Sequence, residues 1–209
     1  MERFLFASTG GALYGEPECL PCNEGHPIQP LSVYGAAKYA FEVYLSTYYQ
    51  TYGLPVTILR YANVYGPRQN PYGEAGVIAI FIRQMTEGRS PIIFGTGEQE
   101  RDFVYVGDVI EALMLCAGRS LPSGSVFNIG SGVGTPVKRV AERVLELMDN
   151  PVELRLGALE TRPDEIMEIS ADISAARERL DWQPTTSLDE GLRESIAWFS
   201  ENRELALGL

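Results

Sequence analysis

Leu31-Ser32-Val33-Tyr34-Gly35-Ala36-Ala37-Lys38-Tyr39-Ala40-Phe41 decides how the chain is read. The residues from 32 to 52 are rich in Ala, Leu and Tyr and end at Gly53, two residues before Pro55. A helix stopped by glycine and then proline is the expected reading. On either side lie short apolar, partly β-branched runs, RFLFAS at 3–8 and VTILRYA at 56–62. Each reads as a buried parallel strand. Between the first strand and the helix, Pro17, Pro21, Pro27 and Pro30 with Gly15 and Gly25 mark a long irregular loop. The core of the reading is therefore strand, long loop, helix, strand.

Outward from this unit the same alternation continues. NVYGPRQNPYG (63–73) reads as loop, 75–87 as helix and PIIF (91–94) as strand. GTGEQERDF reads as a connection into a helix at about 107–117, and SVFNIG (125–130) as a strand ending in a glycine turn. TPVKRVAERVLELMD (135–149) is the clearest amphipathic helix, with Val137, Val140, Val144, Leu147 and Met148 recurring at three and four residues. VELRL (152–156) reads as strand, and helices near 173–180 and 188–203 close the chain. Strands alternating with helices predict an α/β fold with a parallel sheet.

Composition narrows the function classes. The 209 residues are 45% hydrophobic and carry 28 acidic against 17 basic side chains, a formal charge of −11. That balance argues against nucleic acid or an anionic membrane as partner. No apolar run approaches the ~20 residues of a membrane helix, and the N-terminus lacks a signal-peptide layout. Three cysteines are too few for a disulfide framework, which points to a reducing cytoplasm. Cys19-Leu-Pro-Cys22 with His26 nearby is a lone C-x-x-C, weak evidence for zinc, and no metal is assigned. Cys116 reads as a core residue.

The residues that suit chemistry begin with Tyr34 and Lys38, which share a helix face at i and i+4. An ammonium near a phenol favours the phenolate and lowers a pKa that starts near ~10, making a general base. Upstream, the first strand ends in Ala7-Ser8-Thr9-Gly10-Gly11, hydroxyls placed where open α/β sheets bind ligands. Downstream follow Leu59-Arg60-Tyr61-Ala62-Asn63-Val64-Tyr65-Gly66-Pro67-Arg68, Arg101-Asp102-Phe103-Val104-Tyr105-Val106, Asn128-Ile129-Gly130-Ser131-Gly132, and Arg162-Pro163-Asp164. Gly95-Thr96-Gly97 and Gly130-Ser131-Gly132-Val133-Gly134 break the G-x-G-x-x-G spacing of a dinucleotide fingerprint and read as turns.

In this order and spacing the motifs resemble the extended short-chain dehydrogenase/reductase superfamily, within it the NAD-dependent nucleotide-sugar epimerases and dehydratases, and most of all the UDP-glucose 4-epimerases. The resemblance implies the C-terminal part of a doubly wound, Rossmann-like parallel sheet plus a small α/β substrate lobe. The first unit would span 1–70. The second, 71–209, would send a segment at about 101–130 back to the sheet. It implies NAD as cofactor and a UDP-sugar as substrate, epimerised at C4 through a 4-keto intermediate. Tyr34 matches the catalytic tyrosine and Lys38 the lysine holding the nicotinamide ribose; Tyr61 falls beside the cofactor. Thr9, or Ser8 in an alternative register, matches the hydroxyl that contacts the sugar. Asn63 matches a substrate-phosphate contact, Arg101 and Arg162 a pair gripping the diphosphate. Ile169 falls at the position that gates substrate size. The helix at 32–52, through Tyr39, Val43, Tyr48 and Tyr52, would contribute to a homodimer.

The family's glycine-rich cofactor loop is expected about a hundred residues before Tyr34, where 33 residues stand. The chain therefore reads as the C-terminal two-thirds of such an enzyme, with weak or absent turnover alone. Two rival readings remain open. One is a dehydratase or reductase on another nucleotide sugar, disfavoured by Gly10 and Gly11 where dehydratases usually carry Asp-Glu. The other is an inactive sugar-nucleotide-binding module.

Overall fold

The computed structural model describes residues 3–73, 75–149, 152–160 and 165–204. Strand β1 (Phe4–Thr9) runs into the long loop, and helix α1 (Val33–Tyr52) follows. Ser32 starts the helix: its backbone is extended and its hydroxyl accepts from the Gly35 N–H at 3.1 Å. Gly53 stops it in the left-handed region at φ 68°, with its N–H returned to the Tyr49 carbonyl. Strand β2 (Val56–Tyr61) then lies parallel to β1, in register from Phe4–Val56 to Thr9–Tyr61.

The remaining elements are β3 (Asn63–Tyr65), α2 (Val77–Thr86), β4 (Ile92–Phe94), β5 (Glu100–Tyr105), α3 (Val106–Gly118), β6 (Ser125–Ile129), β7 (Gly134–Pro136), α4 (Val137–Leu147), β8 (Arg155–Leu159), α5 (Ser174–Leu180) and α6 (Leu188–Glu201). The main sheet has the order β1-β2-β6 and is wholly parallel. Its carboxyl ends align, with Thr9 beside Tyr61 and Tyr61 beside Ile129. A second sheet, β3-β5-β7, pairs β3 with β5 in parallel and β5 with β7 antiparallel. Strands β4 and β8 form a parallel pair.

Four expectations from sequence need correction. Residues 63–65, read as loop, form β3, and Glu100–Tyr105, read as a connection, form β5. In β5 the charged Glu100, Arg101 and Asp102 hide the strand, because Asp102 is a buried hydrogen-bonding hub. The amphipathic helix starts two residues later than expected, since Gly134–Pro136 pair with β5, and the strand expected at 152–156 occupies Arg155–Leu159.

Two large apolar cores hold these layers. One packs β2, β6, α3 and α5 through Leu59, Phe127, Ile129, Ala112 and Trp182. The other packs α2, α4 and α6 on β5 through Phe81, Ile82, Val140, Val144 and Phe199. Each fully buried Leu, Ile or Phe contributes about 1.5–3 kcal/mol from removal of apolar surface from water. The parallel ends of β1 and β2 are thereby held at the rim where ligands bind in open α/β sheets.

Candidate active site

A cleft of about 690 Å³ opens at those carboxyl ends. Thr9, Tyr34, Lys38, Tyr61 and Asn63 all line it, from β1, α1, β2 and β3. Four elements separated in sequence therefore deliver their side chains to one wall. Tyr34 stands in the first turn of α1 and is 57% exposed, so its phenol faces the open cleft. Lys38 lies one turn further on. Its Nζ donates to the Ala7 carbonyl at 2.8 Å and stands 5.7 Å from the Tyr34 ring centre. The ammonium also rides 5.1 Å over the Phe6 ring.

Strand alternation separates the two candidate hydroxyls. Ser8 is 3% exposed and donates to Oε1 of Glu42 on α1. Its hydroxyl is thereby committed on the helix side of the sheet. Thr9 points to the opposite side, and no hydrogen bond from the described residues engages its hydroxyl. Both residues line the cleft, but Glu42 takes up the Ser8 hydroxyl and leaves the Thr9 hydroxyl uncommitted among the described residues.

That support is a buried polar network the sequence reading did not include. Glu42 and Arg60 are each 5% exposed and pair at 2.8 Å, with further contacts from Arg60 Nε at 3.1 and 3.3 Å. Arg60 also donates to the Tyr14 hydroxyl at 3.2 Å and the Glu24 carbonyl at 3.0 Å. Tyr14 in turn donates to Asn128 at 2.7 Å. Burial opposes charge on Arg60, but the Glu42 hydrogen bonds outweigh it and raise the guanidinium pKa further. Burial likewise raises the Tyr14 phenol. A sequence signal for the network existed: Glu42 lies four residues after Lys38, on the buried face of an otherwise aromatic helix.

Tyr61 lines the cleft, but its hydroxyl is buried near Cys116 without a partner among the described residues, and burial pushes its pKa up to about 12. Asn63 stands over Gly11, where a side-chain carbon would come within 3.3 Å of its Oδ1. Arg101 does not line the large cleft. It lines a 190 Å³ chamber with Leu31, Glu165 and Ile166 that shares Gly11, Ala12 and Ser32 with the cleft. There it donates to the Ile166 carbonyl at 2.7 Å and pairs with Glu165. Arg162, expected as its companion, lies outside the described residues. Ile169 is buried among Tyr14, Cys22 and Ile166 and is absent from both cavity walls.

The glycine stretches are turns in use. The loop at 130–132 delivers the N–H groups of Ser131 (2.6 Å) and Gly132 (3.0 Å) and the Ser131 hydroxyl to the buried Asp102 carboxylate, joined by the Ala171 N–H. Burial raises the Asp102 pKa despite those four donors. Cys22 is buried, Cys19 is exposed, and His26 hydrogen-bonds the Glu18 N–H and Pro27 carbonyl. Among the described residues no three His, Cys, Asp or Glu side chains are arranged to hold a metal ion, and no helix is long and apolar enough to cross a membrane.

Comparison with known proteins places this geometry. The model of the NAD dependent epimerase/dehydratase family matches residues 1–130. A Thermotoga maritima UDP-glucose 4-epimerase structure with UDP-glucose is 43% identical and superposes with a TM-score of 0.92, over 98% of this chain and 65% of that one. A Thermus thermophilus UDP-glucose 4-epimerase complexed with NAD is 38% identical, with a TM-score of 0.87, over 95% and 64%. A Bos taurus dTDP-D-glucose 4,6-dehydratase is 32% identical over 207 residues, 97% of this chain and 57% of that one. The chain thus spans less than two thirds of the length of these relatives. With 62% of its residues inside the family match (130 of 209) and such identity across nearly its full length, the chain belongs to the NAD dependent epimerase/dehydratase family.

Proposed function

We propose that the chain carries the catalytic and sugar-nucleotide-binding part of an NAD-dependent epimerase acting at C4 of a UDP-sugar of the UDP-glucose/UDP-galactose type. One observation carries the reading: Tyr34, Lys38, Thr9 and Asn63 share one cleft, and that cleft runs on into the chamber of Arg101. The relatives solved with UDP-glucose and with NAD support it.

The residues present fit the nicotinamide end of the cofactor. Lys38 offers an ammonium to ribose hydroxyls at the cleft, and Tyr61 lines the wall beside it. Bound NAD would supply a reversible hydride acceptor. The chain's own residues do the rest. Tyr34 takes the proton of the sugar 4-hydroxyl as that carbon becomes a ketone, and returns it when the alcohol re-forms with opposite configuration. Thr9 hydrogen-bonds the same oxygen. Arg101, with Arg162, holds the diphosphate, and Asn63 contacts it from β3. Anchoring at the diphosphate supplies binding energy away from the reacting carbon while the sugar turns.

Dehydration is the second reading, because dehydratases are among the relatives. It needs acidic side chains after Thr9. A side-chain carbon at Gly10 would meet the Arg60 carbonyl at 3.2 Å, and at Gly11 the Asn63 Oδ1 at 3.3 Å. This backbone therefore has little room for an acid pair.

In this reading residues 1–70 present the base and 71–209 chiefly the nucleotide sugar, with a segment at about 101–130 returning to the sheet, where Ser125–Ile129 pairs with Val56–Tyr61. Self-association is supported by α1, which exposes Phe41, Tyr44, Tyr48 and Tyr52 along one side. Tyr39 and Val43 lie on its other flank, along a 330 Å³ groove over β6. Free thiols at Cys19, Cys22 and Cys116 suit a cytoplasmic setting.

The test is incubation of the chain with UDP-galactose and NAD, with separation of products and, in parallel, calorimetric titration with UDP. UDP-glucose as product supports the reading. A 4-keto-6-deoxy sugar favours dehydration, UDP binding without turnover even when an N-terminal partner is supplied favours a binding module, and neither binding nor turnover overturns the reading.

A further inference from the structure

The Ser8–Glu42–Arg60 linkage is not used by the proposed chemistry, yet it joins β1, α1 and β2, the elements that carry Thr9, the Tyr34–Lys38 pair and Tyr61. Ser8 immediately precedes Thr9 on β1. Glu42 lies one turn beyond Lys38 and two beyond Tyr34 on α1. Arg60 is the residue paired with Ser8 in the β1–β2 ladder and precedes Tyr61. One carboxylate thus receives a hydrogen bond from the strand that ends in Thr9 and an ion pair from the strand that ends in Tyr61.

Stability alone accounts poorly for this arrangement. Taking two charges out of water costs several kcal/mol each, and well-packed apolar residues of similar size commonly do as well or better. A buried ion pair specifies geometry more than it stabilises, because its hydrogen bonds are directional and its partners cannot slip. Here the geometry specified is the distance between helix and strand. Apart from Glu42, α1 is tied to β1 near the cleft by the Lys38–Ala7 hydrogen bond and the tilted Phe6–Phe41 contact at 4.7 Å. The first uses the lysine that the chemistry needs, and the second is apolar and free to slide. The Glu42–Ser8 bond also fixes the Ser8 side chain toward the helix, and strand alternation then turns the neighbouring Thr9 side chain the other way, both residues lining the cleft.

We propose that Glu42 is a positioning residue that, through Ser8, locks the end of β1 to α1 and so fixes Thr9 relative to the Tyr34–Lys38 pair. This rests on the epimerase reading above. It requires no contact between Glu42 and any ligand. A misplacement of about 1 Å in such a constellation costs on the order of a hundredfold in rate, so one hydrogen bond behind the site is enough to matter.

Ser8→Ala is the decisive variant, because it removes the link and leaves the Arg60–Glu42 pair in place. Glu42→Gln is the companion. Two readouts are taken on the full chain: turnover of UDP-galactose with NAD alongside the Kd for UDP, and hydrogen–deuterium exchange of backbone amides. The expected result for Ser8→Ala is a kcat at least tenfold lower with the Kd for UDP within twofold. Exchange should rise at least tenfold in segments 7–10 and 33–38 and stay unchanged in α3 and β6. A purely structural role would raise exchange across the sheet or move kcat and Kd together, and would overturn the proposal. Unchanged exchange in segments 7–10 and 33–38, or raised exchange there with kcat unaltered, would also overturn it. Should the unmodified chain neither turn over UDP-galactose nor bind UDP, the epimerase reading fails, while the exchange data alone decide whether Glu42 and Ser8 lock strand to helix.

Discussion

Lys38 stands one helical turn from Tyr34, with its ammonium 5.7 Å from the phenol ring centre and 2.8 Å from the Ala7 carbonyl oxygen. The lysine is thus held by the strand that ends in Thr9 while facing the tyrosine on its own helix. Replacing Tyr34 by Phe should cut turnover by about 10²–10⁴, the range of a lost general base. Because the side chain is largely exposed, stability should stay within ~0.5 kcal/mol. Product assays with urea unfolding of the same sample check both halves.

Removing one member of the buried pair should be far worse than removing both. Glu42→Ala leaves Arg60 charged and unpaired in the interior, at a cost of about 3–5 kcal/mol. The double variant Glu42→Leu/Arg60→Met should recover most of that loss. Urea midpoints for the three proteins decide it; equal destabilisation by single and double variants would contradict the expectation.

Gly35 sits inside the Tyr–Lys motif, where a side-chain carbon would fall 2.2 Å from the Ala12 carbonyl oxygen and 3.0 Å from Pro30 Cβ. Alanine is the better helix former by ~1 kcal/mol. Gly35→Ala should nevertheless destabilise by about 1–3 kcal/mol, because α1 must retreat from the loop. Thermal unfolding gives the sign directly.

The three thiols should differ in reactivity. Burial pushes Cys22 and Cys116 up to about 11, whereas Cys19 is exposed. At pH 8 with iodoacetamide, intact-mass spectrometry should show one rapid addition, mapped to Cys19, and two slow ones.

Acid should weaken the α4–α6 surface only below about pH 3.8. Hydrogen bonding from Arg143 holds Asp189 down at about 2, from an ordinary 3.8. A depressed acid contributes stability above its unfolded pKa and loses it as pH falls through the folded value, here between 3.8 and about 2. Asp189→Asn should flatten the stability profile in that window, and salt should shrink the difference.

Much of this was legible in the sequence because periodicity and caps were strong. Ser32, Gly53 and Pro55 bracket α1, and the β-branched run at 56–61 forms β2. Strand β5 was not legible, since its charged residues answer to distant partners: Asp102 to Ser131 and Ala171, Arg101 to Ile166. Three-residue β3 is too short to show any period. Spacing put Tyr34 and Lys38 on one face, but it could not tell Ser8 from Thr9. That choice depends on Glu42, 34 residues away from Ser8. Arg60 meets Glu42 across 18 residues for the same reason, that only the folded sheet makes them neighbours.

The phenol of Tyr34 rides on the opening turn of the 20-residue helix α1, which Ser32 caps. Terminal turns loosen at lower free energy than the interior they belong to. Warming should therefore disarm the cleft before it melts the sheet, and a solution that has gone silent on heating should recover when cooled, its strands never having parted.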